Sequence, residues 1–234
     1  MTASAEPRGF GGWKAALAAG LIGAVVGGGA VAYVSRQSVR DYLLQNPEII
    51  PEAMDRLRER EAAKMVSANR AALETPFAGA WAGAADGDVV LVEFFDYACA
   101  YCRKSNADVD RLLREDSRLK VVWREWPVLG PDSEAAARAS LAAARAGRFK
   151  PFHDRLFAAG RPTPGALGQA RAAVGLTADL PTDAADQELA KNFQLARDIE
   201  ATGTPTFVVG DKILQGAVGY EALRDAVKAA RGRS

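Results

Sequence analysis

The rhythm of apolar and polar positions divides this chain into three stretches. In the first, from Ala15 to Val34 (AALAAGLIGAVVGGGAVAYV), 20 consecutive residues carry no charge, bracketed by Arg8 and Lys14 before and Arg36 and Arg40 after. That length matches the hydrocarbon core of a bilayer. Gly20, Gly23 and Gly27 to Gly29 would each cost a helix in water about 1 kcal/mol relative to alanine, whereas lipid tolerates them better. Residues 1–34 read as a signal peptide, with Ala30-Val31-Ala32 as its small-residue cleavage site, or as a transmembrane anchor. Either reading exports the rest of the chain.

The second stretch, residues 35–75, has no glycine and few β-formers, which predicts helix. Asn46-Pro47-Glu48 has the form of a helix start, with asparagine as cap, proline in the first position and an acid at the positive dipole end. Pro51, close behind, is positioned to kink or restart that helix. Ile50, Met54 and Leu57 share a stripe, Arg58-Glu59-Arg60-Glu61 interrupts it, and Met65 and Val66 resume it. A helix this polar is no domain by itself. It reads as a solvated stalk or as an oligomerisation segment pairing copies of the chain through residues 38–74; the repeat is too short to argue for a coiled coil.

The third stretch, residues 76–234, follows a boundary rich in glycine and alanine between Thr75 and Asp88. Val89-Val90-Leu91-Val92-Glu93-Phe94-Phe95 is nearly continuous in apolar, β-branched and aromatic residues, the pattern of a strand buried on both faces of a partly parallel sheet. Its one acid is Glu93, which a doubly covered sheet would bury and raise in pKa. Asp96-Tyr97-Ala98 turns into a helix from Tyr101 to Arg114, and a strand from Leu119 to Trp126 completes a βαβ unit. Helices are predicted for Ser133 to Ala146, Phe149 to Ala159, Gly165 to Val174 and Thr182 to Ala201. Thr206 to Val209 and Lys212 to Leu214 flank the turn Gly210-Asp211, a strong hairpin signal, and Tyr220 to Ala230 closes the chain as helix. The fold class is α/β.

Charge narrows the partners. Lys and Arg number 30 against 29 Asp and Glu, a formal net charge of +1, so no basic excess exists for a phosphate backbone, and nucleic acid is not expected as a partner. An apolar share of 49% predicts a sizeable core rather than disorder.

Candidate chemistry lies in FFDYACAYC, where Cys99 and Cys102 are the only two cysteines. A zinc site needs four ligands, and beyond these two the chain has one histidine, His153, which reads as a hydrogen-bonded helix residue; no metal site is expected. As a structural staple, a disulfide closing so short a loop stabilises weakly. Position says more. At a helix start, Cys99 faces unpaired backbone N–H groups and the positive end of the dipole, which favour the thiolate, the attacking species. Cys102, one turn on, lies on the same face and can attack a mixed disulfide formed at Cys99. A C-x-x-C opening a helix after a buried strand is a redox signal. The competing reading is a non-catalytic module whose dithiol holds a soft ion such as Cu(I), against which stand only three methionines and one histidine. Trp123, Trp126 and Pro127 are candidates for a peptide groove, with core packing as the alternative.

From about Phe77 onward the chain resembles the thioredoxin-fold, DsbA-like thiol-disulfide oxidoreductases of the bacterial cell envelope. Val92-Glu93-Phe94-Phe95-Asp96-Tyr97 is similar to the family's first core strand, Cys99-Ala100-Tyr101-Cys102 to its active-site motif, and Phe152-His153-Asp154-Arg155-Leu156-Phe157 to its helical insertion. Gly203-Thr204-Pro205-Thr206-Phe207 is similar to the segment carrying its cis-proline. For Pro205 the cis form also fits its place at the start of a strand, between a long helix and the hairpin. The resemblance implies a thioredoxin-like fold with a helical insertion, Cys99 as nucleophile, Cys102 as resolving thiol and Glu93 as a proton relay. It further implies client contact through Thr204 and Pro205, with Tyr101 beside them, and no dissociable cofactor. Implied partners are cysteine-containing exported proteins and a membrane redox protein, on the periplasmic side of the inner membrane, with the chain anchored there or released by signal cleavage. Two departures stand out: Ala100 replaces a familiar proline, and Tyr101 a histidine of the strong oxidants, so a milder oxidant is expected. Thr204 before Pro205 resembles members that act as isomerases or reductases.

Overall fold

The computed structural model describes residues 38–232. The signal or anchor reading of residues 1–34 lies outside them, and among the described residues no helix is long and apolar enough to cross a membrane. The chain divides into two units, residues 1–57 and 58–234.

In the first unit, residues 38–45 are helical. The side chain of Asn46 closes that helix rather than capping the next: the residue's backbone N–H and its side-chain amide both donate to the Tyr42 carbonyl, at 2.9 and 2.8 Å. Only its carbonyl faces forward, accepting from the Ile49 N–H at 3.2 Å. The next helix, α1 (Ile49–Glu74), has Pro51 in its first turn, where the missing N–H costs nothing, and runs through it unbroken. Val39, Tyr42, Leu44, Ile50, Met54 and Leu57 are all exposed.

From Arg58 onward α1 belongs to the second unit. There Val66 and Leu73 are buried with Val92, Phe94 and Val122, so this part of the helix is core rather than free stalk; burying each contributes about 1.5–3 kcal/mol. Next come β1 (Trp81–Gly83), β2 (Val89–Phe95), α2 (Ala100–Glu115) and β3 (Leu119–Glu125). Three helices follow, α3 (Pro131–Arg145), α4 (Phe149–Ala158) and α5 (Pro164–Ala173), then α6 (Thr182–Asp198), the hairpin β4 (Thr206–Val209) and β5 (Lys212–Gln215), and α7 (Tyr220–Arg231).

The sheet order is β1-β3-β2-β4-β5, with β2 and β3 parallel and every other pairing antiparallel. This is the thioredoxin-like arrangement, with α3 to α5 inserted after the βαβ unit. Both faces of β2 are covered. Leu91 and Phe95 join a core with residues of α2, α4 and α7, while Val92 and Phe94 join the core built on α1 and α6. That is why the strand reads as one apolar run. By the same alternation Glu93 points with Leu91 and Phe95 toward the side of α2. The short strand β1 was not anticipated: it lies inside the Gly- and Ala-rich boundary and pairs Trp81 to Gly83 with Lys120 to Val122.

On the opposite face, Arg124 of β3 is fully buried. Its guanidinium donates to the carbonyls of Ala72, Leu73 and Thr75 at the end of α1 and to Glu188 (2.9 Å) and Asn192 (3.3 Å) of α6. One side chain therefore satisfies the open carbonyls of a helix and ties three elements together.

Candidate active site

β2 ends at Phe95, and three residues carry the chain to Cys99, which caps α2 with extended backbone (φ −76°, ψ 117°) and its N–H on the Asp96 carbonyl at 3.1 Å. Its thiol lies 3.2 Å from the Thr204 carbonyl. The Thr204-Pro205 peptide bond is cis, as its position between helix and hairpin led us to expect. As a thiolate, Cys99 accepts from the Cys102 thiol, the largest influence on it, and from the backbone N–H groups of Cys102 and Tyr101. Against the opposing effect of burial, its pKa falls from 9.0 to about 5.

Cys102 behaves oppositely. It has no solvent exposure, against 6% for Cys99. Burial first, then donation to Cys99 and the charge of Glu93, push its thiol far above the usual range. Both cysteines are free, so this is the dithiol state. Two thiols one helical turn apart thus differ in kind: Cys99 is acidic and keeps a small exposure, whereas Cys102 is held protonated with none.

Glu93 is fully buried on the same side of the sheet. The Trp123 indole N–H donates to its Oε2 at 2.9 Å, and its Oε1 has no partner. Burial raises its pKa from 4.5 to about 8, with the Trp123 bond acting downward. An acid whose folded pKa lies above its unfolded value costs nothing below the unfolded pKa and destabilises increasingly as pH rises between the two. Urea unfolding from pH 4 to 9 should therefore show a Glu93→Gln variant gaining on the parent from about pH 4.5 to about pH 8, with no change in the gap beyond; parallel pH curves would contradict a buried, titrating Glu93.

His153 is neutral: burial lowers its pKa far below 6.5, and it sits among Phe95, Phe149 and Phe157, 3.4 Å through Nδ1 from the Tyr97 hydroxyl. Among the described residues no group of three or more His, Cys, Asp or Glu side chains could hold a metal ion. Trp123 and Trp126 are both core residues at 2% and 8% exposure, which leaves the groove reading without its tryptophans.

Residues 90–228 match the family of the DSBA-like thioredoxin domain. The chain belongs to the DsbA-like thiol-disulfide oxidoreductase family. Its N-terminal part, residues 36–64, matches the N-terminal domain of the copper resistance protein ScsC. Among solved structures, a linker-deletion mutant of Proteus mirabilis ScsC is 30% identical with a TM-score of 0.71, covering 85% of this chain and 94% of that one. A periplasmic thioredoxin-like protein from Salmonella enterica serovar Typhimurium is 28% identical with a TM-score of 0.66, covering 70% of this chain and 95% of that one. Disulfide bond formation protein D of Bacillus subtilis (strain 168) is 26% identical over 165 residues, 62% of this chain and 74% of that protein. The Na(+)/H(+) antiporter NhaA 1 of Salinispora arenicola (strain CNS-205) is 32% identical over 161 residues, but the chain spans only about a quarter (24%) of its length.

This DsbA-like site also contains two supports that sequence reasoning passed over. Asp96 accepts through Oδ1 from the Ala98 N–H (2.7 Å) and through Oδ2 from the N–H groups of Val128 (2.8 Å) and Leu129 (3.0 Å). It fixes the turn into Cys99 to the loop after β3, where Val128 and Leu129 are exposed, as is Tyr101. Gln215 of β5 accepts from the Thr206 hydroxyl (2.8 Å) and the Thr202 N–H (3.2 Å), pinning the segment that presents Thr204 and Pro205. An aspartate at a turn was a local signal for the first. Gln215 gave none, because its role comes from the register of β4 and β5.

Proposed function

We propose that this chain is an exported thiol-disulfide oxidoreductase acting on cysteine-containing proteins of the cell envelope, with the Cys99-Ala100-Tyr101-Cys102 couple as its reactive centre. The observation that carries this reading is the placement of Cys99 at the start of α2, 3.2 Å from the carbonyl that precedes cis-Pro205, with fully buried Cys102 one turn on, which gives the two thiols opposed acidities. The Cys99 thiolate attacks a client disulfide and forms a mixed disulfide; Cys102 then loses its proton and displaces the client from Cys99. Glu93 is the proton relay. Run backwards, the same steps oxidise a client dithiol. The Thr204 carbonyl beside Cys99, with Pro205, offers edge-strand contacts to an extended client backbone, and exposed Tyr101, Val128 and Leu129 receive its apolar side chains.

A membrane redox protein re-oxidises or re-reduces the couple, on the periplasmic side of the inner membrane, to which residues 1–34 direct the chain. Within residues 35–75 the part that pairs copies of the protein is the one before Arg58, a reading supported by the exposed apolar side chains Val39, Tyr42, Leu44, Ile50, Met54 and Leu57. A Cys99 pKa of about 5 falls between the values of about 7 for thioredoxin and about 3.5 for DsbA. A lower pKa marks a better-stabilised reduced form, so the couple is expected to be a milder oxidant than DsbA and a stronger one than thioredoxin. The test is the thiolate absorbance of the reduced protein against pH: a transition near pH 5, lost in Cys99→Ser, is expected. A midpoint in the ordinary range near 9 would remove the nucleophile and with it the proposal.

A further inference from the structure

We infer that Trp123 is a positioning residue for thiol exchange: its indole N–H holds one oxygen of the Glu93 carboxyl group and leaves the other free for the Cys102 proton. The inference rests on the reading of Cys99 and Cys102 as an exchange pair. Glu93 and Trp123 are direct partners across the parallel β2/β3 pairing, so both side chains leave the sheet on the same face, the one α2 covers. The indole is locked by Phe149 and His153, whose rings lie 5.4 and 5.2 Å from it, centroid to centroid. Its N–H is thereby aimed at Oε2, and Oε1, buried and without a partner, is the acceptor left over.

The charged and titratable groups around Glu93 set the balance. From α2 come Cys99, Cys102 and Asp110; from α4 come Lys150, His153 and Asp154; Tyr97 follows β2. The negative charges of Asp110 and Cys99 raise the carboxyl further, after burial. The nearby cation, Lys150, is engaged by Asp110 (2.9 Å) and Asp154 (2.5 Å) and reaches the Trp123 ring (5.9 Å to its centroid). A cation bonded to Glu93 would pin it as a carboxylate. A neutral N–H orients it while leaving it able to gain or lose a proton near neutral pH.

In the resolving step the Cys102 thiol gives its proton to Glu93, and Cys102 Sγ attacks Cys99 Sγ. A new Cys99–Cys102 S–S bond forms as the bond from Cys99 to the client breaks. The client cysteine leaves with the electron pair and takes a proton from water; the dithiol loses two electrons and the client disulfide gains them.

Trp123→Phe keeps an aromatic ring and deletes the donor. In single-turnover release of a cysteine peptide from a preformed mixed disulfide at Cys99, the pH limb belonging to Glu93 should move upward by about one unit, as expected when a bond to the charged form is lost. In a Glu93→Gln background that limb should be absent and Trp123→Phe should shift nothing. A rate lowered equally at every pH, with an unmoved midpoint, would make Trp123 a packing residue only and overturn the inference. Should Trp123→Phe fail to fold, the indole 1H–15N resonance of the parent protein decides: it should titrate near pH 8 and stop titrating in Glu93→Gln, and a flat resonance in the parent overturns the inference equally. Exchange persisting in Cys99→Ser would instead sink the exchange-pair reading on which all this stands.

Discussion

Cys99→Ser is expected to reduce thiol-disulfide exchange to the uncatalysed background, while Cys102→Ser should stop the reaction as a covalent complex with its client. The two outcomes follow from the opposed acidity of the cysteines. With a pKa of about 5, Cys99 is almost wholly thiolate at neutral pH, where an ordinary thiol is only a few per cent ionised. A serine hydroxyl at position 99 has no comparable anion and cannot form the mixed disulfide. At position 102 the hydroxyl cannot displace the client, so the complex formed at Cys99 has no intramolecular exit. The choice of replacement matters, because donation from Cys102 is the largest cause of the low Cys99 pKa. Cys102→Ser keeps a donor there, whereas Cys102→Ala removes it and should leave Cys99 a weaker acid that traps clients more slowly. Non-reducing electrophoresis and mass spectrometry of the reaction with a disulfide-containing peptide read all three variants. Failure of Cys102→Ser to accumulate an adduct, or of Cys99→Ser to abolish it, would break the assignment of attacking and resolving thiols.

What the sequence disclosed about this site was what local order controls. Cys99 and Cys102 share one helical turn, and Glu93 interrupts an apolar run that only a doubly covered strand explains. The hairpin was legible from Gly210-Asp211 between two β-rich runs, and Gly210 adopts φ +58°. Features made by pairing between distant segments were not. β1 is three residues long and becomes a strand only because β3 lies beside it. Trp123 could be read as core or groove, but its bond to Glu93 depends on the β2/β3 register. Asn46 misled for a different reason: asparagine serves either end of a helix, and here its amide reaches back to Tyr42 rather than forward. Arg124 sat unremarked inside a predicted strand, since its partners are some fifty residues upstream on α1 and about sixty downstream on α6.

That arginine carries the largest expected effect on stability. Arg124→Ala should cost about 3–5 kcal/mol in urea unfolding, the usual penalty for stranding a partner of a buried ion pair. Glu188, with a side chain only 9% exposed, would lose the Arg124 partner it meets at 2.9 Å, and the carbonyls closing α1 would lose their donor. These two consequences separate experimentally. In Arg124→Met with Glu188→Met the stranded charge is gone and apolar volume replaces it, so the double variant should recover part of the loss over Arg124→Met alone. The carbonyls of Ala72, Leu73 and Thr75 still lack a donor in it, so recovery should stay incomplete, and protease cleavage near the end of α1 should be faster than in the parent. Full recovery would confine Arg124 to its ion pair and deny it any part in holding α1. Arg56 is the control: its contact with Glu52 at 3.2 Å is exposed on both sides, and Arg56→Ala should change stability by less than about 1 kcal/mol. Arginine paired with glutamate differs in effect between the two places because one guanidinium replaces water at the buried end of a helix and the other remains in water.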